Sequence, residues 1–243
     1  MEAVVNPIPD VSIPNRSITS FVPVSEEMVS LSEAGFLVDS YWYNHGATGA
    51  LKDCYVRKGL ISRLRTAQKC LPKGFYLKIF DAYRPYVLQE YIWKGLQSRI
   101  CASCGGNVSK ATLDRWTSVF EELPTDDMKF APSYMTGGAV GLTIVDAAGE
   151  DLDMGTDFYE FDSKTWSVYY ERRKCNGTEK EIRNHRRLLY NAMIRSGFTN
   201  APSKWWHYDY GNKDWSLLTG KVIYYDGMET LKLSEKELHS GVV

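Results

Sequence analysis

The stretch Phe75-Tyr-Leu-Lys-Ile-Phe-Asp-Ala-Tyr-Arg-Pro85 joins a predicted strand to a predicted helix through a short turn. Phe75–Phe80 is mostly apolar or aromatic, and a run of this length and composition predicts a strand. Asp81–Pro85 predicts a turn, and Pro85 suits the first position of a helix because its missing N–H is not needed there. We expect this helix to run to about Gln97. The stretch therefore indicates a fold that mixes strands and helices.

Hydrophobic periodicity extends this pattern along the chain. Apolar residues at helical spacing predict three further helices, over Gly59–Leu71, Ser109–Glu122 and Glu179–Ser196. Short apolar runs predict strands over Gly138–Val145 and Lys221–Tyr225, and an extended, buried segment over Lys204–Tyr210. Because strands and helices do not alternate regularly, we predict an α+β fold, a single domain with a central, mainly antiparallel sheet flanked by helices.

The domain organisation is simple, since no linker or internal repeat divides the chain. Residues 1–24 are rich in proline and predict an irregular N-terminal segment packed on the domain. The domain itself is expected over residues 25–228, and residues 229–243 are a polar C-terminal tail. The chain has 243 residues, of which 44% are hydrophobic, so it can bury a sizeable core.

The charge balance excludes partners that need a strong electrostatic field. The chain has 29 basic and 30 acidic residues and a net charge of −1, so we expect neither nucleic acid nor a membrane as a partner. No apolar run approaches the roughly 20 residues that cross a bilayer. Met1–Asn15 has no secretory signal pattern, so we expect a cytoplasmic location. The oligomeric state is left open.

The five cysteines do not suggest a disulfide scaffold, because their number is odd and the chain is long. Cys101 and Cys104 have the spacing found in zinc knuckles and redox sites, but no second such pair accompanies them. Three interpretations stay open: a structural or incidental role, a redox pair, and a metal site. We favour the first.

Three segments, in order along the chain, carry a family resemblance. Asp81–Pro85 resembles the pattern D-x-Y-R-P, Ser133–Gly141 occupies the place of S-x-H-x-x-G-x-A-x-D, and Lys204–His207 occupies that of E-W-W-H. These are patterns of the D-alanyl-D-alanine dipeptidases of the VanX type, which the chain resembles from about Phe36 to Tyr225. The resemblance implies a fold like that of the D-Ala-D-Ala dipeptidases and carboxypeptidases.

The resemblance also implies a known chemistry, zinc-dependent peptide hydrolysis. A catalytic zinc ion takes three protein ligands and keeps one position for water. In the family the ligands are the His and Asp of the second pattern and the His of the third, and the Glu of E-W-W-H takes a proton from the zinc-bound water. The Arg of the first pattern stabilises the oxyanion that forms on the scissile carbonyl.

The second segment departs from the family at both ligand positions. It is one residue shorter than the pattern, so the alignment depends on where the gap falls. The His position is Met135, or Tyr134 if the gap lies earlier, and the Asp position is Gly141, or Leu142 without a gap. None of these four residues is a good zinc ligand.

The third segment keeps its histidine and loses its glutamate. His207 matches the family, as does Arg84 in the first segment, but Lys204 stands at the position of the general base. Lysine is a cation at neutral pH unless burial changes this, so it does not simply replace a carboxylate. One histidine does not hold a catalytic zinc ion, and we therefore expect no metal cofactor.

A fourth departure follows Met154-Gly-Thr156, where the family places an acid that receives the free amine of the substrate. The aligned residue is Tyr159, and Glu160 or Asp157 would replace it after a small backbone shift.

We predict a site in which Arg84, Lys204 and His207 are catalytic. The predicted substrate-binding residues come from the same segments: Asp81, Ser133, Tyr134, Met135, Tyr159, Glu160 and Trp206. Structural roles stay open beside these, since Arg84 can pair with Asp81, Lys204 can point to solvent and Trp206 can pack in the core.

Three hypotheses for the function follow from these residues. The first is a metal-independent enzyme that cyclises, isomerises, eliminates from or rearranges a small amino-acid-derived or peptide-like molecule, with specialised metabolism as its setting. The second is a non-catalytic protein that binds such a ligand. The third is a zinc D-Ala-D-Ala dipeptidase with ligands outside these patterns. We favour the first, because the remaining groups transfer protons and stabilise anions without a metal.

Overall fold

The strands of the protein form one central sheet and one small pair, in a computed structural model that describes residues 5–14 and 21–228. The strands are β1 (Met28–Ser30), β2 (Leu37–Val38), β3 (Tyr55–Arg57), β4 (Tyr76–Asp81), β5 (Ala139–Val145), β6 (Thr199–Asn200) and β7 (His207–Asp209). The central sheet has the order β2-β4-β5-β7-β6, in which only the β2–β4 pair is parallel. Strands β1 and β3 pair separately.

The α-helices of the described residues surround this sheet. They are α1 (Tyr41–Asn44), α2 (Gly59–Cys70), α3 (Tyr86–Ser103), α4 (Lys110–Thr117), α5 (Thr178–Arg195) and α6 (Lys213–Thr219). Every residue of β5 is buried, as expected for the middle strand of a sheet that is covered by other elements. The predicted α+β class and the mainly antiparallel sheet are confirmed.

The register of the sheet brings the three family-like segments to one place. Asp81, the last residue of β4, pairs with Gly141 in β5, and Gly141 pairs with His207 in β7. Residues directly opposite each other in an antiparallel sheet point to the same face. Asp81, Gly141 and His207 therefore form one row across three strands, and the side chains of this row share a face.

Four predicted elements agree with the structure to within one residue, and four differ. The segment predicted as extended over Lys204–Tyr210 has a turn at Trp205 and Trp206, and only His207–Asp209 is a strand. Helix α3 continues through Gly95 to Ser103, and it is followed by Gly105 and Gly106, which both have positive φ angles. Helix α4 ends at Thr117, and the remainder of the predicted helix up to Glu122 consists of turns and irregular chain.

The predicted strand over Lys221–Tyr225 is wrong. The segment makes a single bridge, from Ile223 to Phe21, rather than joining the sheet. The backbone N–H groups of Tyr224 and Tyr225 both donate to the carbonyl of Gly211, so they are not available to a neighbouring strand. These contacts with Gly211 replace the expected ladder.

Asn6 and Ile8 of the N-terminal segment lie against α5 and the loop before it, whereas Val22 and Val24 bond to the backbone of Ile223 and Tyr224. Ile8 is buried, and its N–H donates to Glu171 Oε1 at 3.2 Å. The expected C-terminal tail, residues 229–243, lies outside the described residues. Among the described helices, none has both the length and the apolar character needed to cross a bilayer.

Candidate active site

The space beside His207 is filled by aromatic side chains. A Cβ atom placed on Gly141, its partner across the sheet, would lie 2.9 Å from Cε2 of Phe158 and 3.0 Å from the hydroxyl of Tyr134. The third neighbour, Cβ of Asp81, would be 3.2 Å away. Any larger residue at position 141 would therefore have to displace both Phe158 and Tyr134.

Tyr134 is the residue of the second segment that meets His207. It lies in the short 3-10 helix Ser133–Thr136, and its ring centroid is 4.6 Å from that of His207 at an angle of 47°. Its hydroxyl is buried and has no hydrogen-bond partner among the described residues. Burial and the Asp81 carboxylate raise the pKa of this hydroxyl well above its ordinary value, so it stays protonated. Met135 is buried in the same short helix, one residue further on.

Arg84 is buried and fully engaged by acceptors within the protein. Its Nε and Nη2 donate to Asp81 Oδ2 at 2.9 and 2.5 Å, and its Nη1 donates to Gln89 Oε1 and Glu121 Oε1 at 3.0 and 2.9 Å. The guanidinium also lies 4.0 Å from the ring centroid of Tyr134. Burial alone would lower the pKa of Arg84, but the carboxylates of Asp81 and Glu121 outweigh it and raise the pKa.

Glu121 joins several of the predicted residues into one network, although no sequence pattern indicated it. Besides Arg84, its carboxylate accepts a hydrogen bond from the Tyr159 hydroxyl at 3.1 Å and lies 3.6 Å from Nζ of Lys204. Burial would raise the pKa of Glu121, yet Lys204 and Arg84 lower it to about 2. Glu121 is therefore a buried carboxylate at neutral pH, balanced by two cations.

Tyr159 reaches this network through an unusual backbone conformation. Its φ angle is 62°, the only positive value among the described non-glycine residues, and such a conformation costs energy that the surrounding contacts must supply. Its ring packs edge-on against Trp42 at 4.4 Å, and burial and Glu121 raise the pKa of its hydroxyl. Glu160 points elsewhere: it is exposed and lines a separate polar cavity of about 520 Å³.

His207 is buried and oriented by a carboxylate. Its Nε2 lies 3.1 Å from Asp209 Oδ1, which also accepts a hydrogen bond from Asn212 Nδ2 at 2.7 Å. The other ring nitrogen, Nδ1, is buried and has no partner among the described residues. A histidine held in this way has one nitrogen fixed by its neighbour and one available for a proton or a ligand.

The other predicted residues have mainly internal contacts. Trp206 lies in the core, with its ring edge-on to Phe158 at 5.4 Å. Asp81 accepts hydrogen bonds from Arg84 and from Trp42 Nε1. The hydroxyl of Ser133 lies between two carboxylates: it contacts Glu122 Oε2 at 3.0 Å and makes a short hydrogen bond with Asp214.

A cavity of about 250 Å³ adjoins this network, and we refer to it as the His207 cavity. Its ionisable lining residues are Glu121, Glu122, Lys204, His207, Asp209 and Asp214. The structure thus brings Lys204 and His207 to one cavity, while Arg84 and Tyr134 lie behind its wall. Lys204 is buried and directed at Glu121 rather than at solvent.

Asp214 is the unusual acid of this cavity. It lies in the first turn of α6, close to Glu122 and Asp209. Burial raises its pKa most, the two neighbouring carboxylates add to the effect, and the resulting pKa is about 7. An acid that titrates near neutral pH can both donate and accept protons under physiological conditions.

Replacement of Asp214 by asparagine should remove a pH-dependent loss of stability. Because the folded pKa is about 7 and the ordinary value is 3.8, the folded protein binds more protons than the unfolded chain between these values. Its free energy of unfolding therefore falls as the pH rises through this range. Asn cannot ionise. The free energy of unfolding of Asp214→Asn, relative to that of the wild type, should therefore increase by on the order of 2–3 kcal/mol between pH 5 and pH 8.

Urea unfolding at both pH values measures this change. The exposed Asp126 offers a matched control, and Asp126→Asn should follow the wild type at both pH values. An equal difference between Asp214→Asn and the wild type at pH 5 and pH 8 would contradict the assignment.

Three residues of the site, Glu121, Asp209 and Asp214, were missed by the sequence analysis. Glu121 lies in a stretch predicted as the end of an amphipathic helix, where a charged residue is ordinarily solvated. Asp209 follows His207 by two positions on a strand, which puts both side chains on one face, and this spacing was a usable signal. Nothing in the sequence places Asp214 near Ser133.

Comparison with known proteins agrees with the geometry of the three segments. The model of the D-Ala-D-Ala dipeptidase family matches residues 45–226, which is more than half of the chain. A D-alanyl-D-alanine dipeptidase of Synechocystis sp. is 25% identical over 195 residues, covering 72% of this chain and 79% of that protein. A D-alanyl-D-alanine dipeptidase of Escherichia coli is 26% identical over 161 residues, covering 64% of this chain and 66% of that protein. The chain therefore belongs to the D-Ala-D-Ala dipeptidase family.

Proposed function

We propose that this family member does not hydrolyse peptides with zinc, and that it is a metal-independent enzyme acting on a small amino-acid-derived or peptide-like molecule in the His207 cavity. The observation that carries the proposal is the pairing of Gly141 with His207. A side chain at position 141 would lie beside His207, and glycine supplies none there. The neighbouring space is occupied by the phenol of Tyr134, which is a proton donor and not a zinc ligand at neutral pH.

The donors around His207 do not fit a catalytic zinc ion. Such a site needs three His, Cys, Asp or Glu ligands and an open position. Within residues 5–14 and 21–228, no three side chains of these types are grouped so that they could hold a metal ion. Lys204, at the place of the family's general base, brings a positive charge to the cavity that His207 lines, and this charge disfavours a divalent cation there.

The groups that line the His207 cavity suit proton transfer. His207 is oriented by Asp209 and has a free Nδ1, Asp214 titrates near pH 7, and Lys204 supplies a cation for a carboxylate or a developing oxyanion. Such a set can deprotonate an amine or a carbon acid on one side and protonate a leaving group on the other. Cyclisation, isomerisation, elimination and acyl rearrangement are reactions of this class.

Arg84 acts on the site through its neighbours and not by contact with the substrate. Because its guanidinium is bonded to Asp81, Gln89 and Glu121, it does not reach a substrate oxyanion in this arrangement. It holds Glu121 in place, and Glu121 in turn orients Lys204. We therefore regard Arg84 as a positioning residue.

A metal analysis combined with a turnover assay tests the proposal. The purified protein should contain far less than one zinc ion per chain and should not hydrolyse D-Ala-D-Ala when zinc is added. After treatment with a chelator, it should still convert members of a panel of dipeptides and dipeptide esters, with cyclic dipeptides among the products sought. Stoichiometric zinc together with D-Ala-D-Ala hydrolysis would overturn the proposal.

His207→Ala should lower this turnover by at least about 100-fold, the usual contribution of a general acid or base. His185→Ala is the matched control, since His185 lies on α5 with its ring bonded to the carbonyl of Asp153 and lines none of the cavities described above. It should retain full activity. Equal activity in His207→Ala and the wild type would remove His207 from the mechanism.

A further inference from the structure

An apolar cavity of about 350 Å³ adjoins the His207 cavity. Aromatic side chains form much of its wall: Trp166, Tyr190, Phe198 and Trp215. The indole N–H of Trp215 donates to the carbonyl of Gly197 at 2.9 Å, so the polar atom of this side chain is satisfied within the protein. The cavity therefore offers aromatic and aliphatic surface to an occupant.

The two cavities share a wall. Pro202 and Leu218 line both of them. The chain from β6 into the loop before β7 contributes to both cavities. Asn200 lines the apolar cavity, whereas Ser203 and Lys204 line the His207 cavity. The two cavities are therefore adjacent at Pro202 and Leu218, and a ligand that extends past these two residues would reach both.

Asn200 connects the apolar cavity to the proton-transfer groups. Its Nδ2 donates to the carbonyls of Lys204 and His207 at 3.0 and 2.9 Å, and its Oδ1 accepts from Ser167 Oγ at 2.6 Å. Asn200 and Ser167 both line the apolar cavity. The residues that position the backbone of Lys204 and His207 would thus be in contact with whatever fills this cavity.

The N-terminal segment borders both cavities. Ile8 and Val11 line the apolar cavity, and Ile13 lines the His207 cavity. Asp10 of the same segment forms an ion pair with Arg172, which holds it in place. Both cavities are therefore enclosed on one side by the same piece of chain, as expected for two parts of one binding site.

We propose that the ligand of the His207 cavity carries a large apolar group, an aryl or branched alkyl side chain, which occupies the apolar cavity. This inference rests on the proposed function, because it takes the His207 cavity as the site of the reaction. The His207 cavity alone is below the usual size of ligand sites, whereas a site that includes the apolar cavity falls within that range. The substrate class is then a hydrophobic amino-acid derivative or short peptide, rather than a molecule of the size of D-Ala-D-Ala.

Isothermal titration calorimetry of the full chain, with four dipeptides as probes, tests this inference. The probes are D-Ala-D-Ala, L-Ala-L-Ala, alanyl-phenylalanine and phenylalanyl-alanine. At least one phenylalanine dipeptide should bind about tenfold or more tighter than either alanine dipeptide, because its ring is removed from water. Equal affinities, or no binding of either phenylalanine dipeptide, would overturn the inference.

Single substitutions test whether the apolar cavity causes the preference for phenylalanine dipeptides over alanine dipeptides. Leu218→Trp adds bulk at a residue that lines both cavities and should reduce the preference to less than about twofold. Leu217→Trp, one position earlier on α6 and outside both cavity walls, should keep the preference. If Leu218→Trp does not fold, Val11→Asp introduces a charge at a partly exposed position of the apolar wall and should weaken binding of the phenylalanine dipeptide alone. A preference that survives Leu218→Trp or Val11→Asp unchanged contradicts the assignment.

The binding measurement separates this inference from the proposed function. Turnover of small polar dipeptides with no preference for phenylalanine would overturn the inference and leave the proposed function standing. A preference for phenylalanine without any turnover in the chelator-treated sample would overturn the proposed function and support the inference.

Discussion

Zinc binding should appear when Gly141→Asp is combined with Tyr134→His and Lys204→Glu. Position 141 pairs with His207 across the sheet, so an aspartate there would present its carboxylate beside the His207 ring. Tyr134 already lies against that ring, and a shorter histidine at this position would supply the third ligand and remove the contact with the tyrosine hydroxyl. The ring of Phe158, whose Cε2 would lie 2.9 Å from the new Cβ, must also shift to admit the carboxylate. The glutamate at position 204 would restore the base. We expect the triple variant to bind near-stoichiometric zinc and to gain hydrolysis of D-Ala-D-Ala.

The position chosen for the new histidine is the most specific prediction in this experiment. The sequence left the ligand position open between Tyr134 and Met135, and the geometry favours Tyr134. The control is therefore the same triple variant with Met135→His in place of Tyr134→His, which should bind zinc much more weakly. Dialysis against zinc followed by elemental analysis measures both proteins. Equal zinc content in the two variants would show that the spacing around His207 has been misassigned.

Arg84→Ala should destabilise the protein more than any other single change considered. The substitution leaves Asp81 buried without its cation and Glu121 with Lys204 alone, and breaking a buried ion pair in this way costs about 3–5 kcal/mol. Such a loss is a large part of the stability of an ordinary domain. Urea unfolding of the variant and of the wild type gives the difference directly.

Arg172→Ala is the matched control, because Arg172 also pairs with an aspartate but both side chains are more than half exposed. We expect a loss of at most about 1 kcal/mol from it. Arg84→Lys keeps the charge and loses the forked geometry, so it should lie between Arg84→Ala and the wild type, and it serves if Arg84→Ala does not fold. Similar losses for Arg84→Ala and Arg172→Ala would mean that the buried network contributes little.

The sequence was sufficient for the family and for the most regular elements, because these depend on local patterns. The helix Thr178–Arg195 and the strand Ala139–Val145 follow from periodicity, and the three segments follow from their order. The strand predicted at Lys221–Tyr225 was wrong because its donors are taken by Gly211, a contact that no local pattern records.

The candidate site was harder to predict, because its organisation depends on contacts between distant parts of the chain. The alternative roles of Arg84 and Lys204 illustrate this. Both interact with Glu121, which comes from an irregular stretch with no motif. This carboxylate accepts a hydrogen bond from Arg84, and it attracts the Lys204 ammonium group into the interior. Which residue of the second segment meets His207 also required the sheet register, which the length of the segment could not give.

The row formed by Asp81, Gly141 and His207 has a consequence for how the protein folds. These residues lie far apart along the chain and become neighbours only when β4, β5 and β7 have paired. Contacts between distant residues form slowly, because a long loop must close before they stabilise the chain. The cavity therefore has no partly assembled precursor in any one segment. Ligand binding should return late during refolding, in the same kinetic phase as the completed sheet.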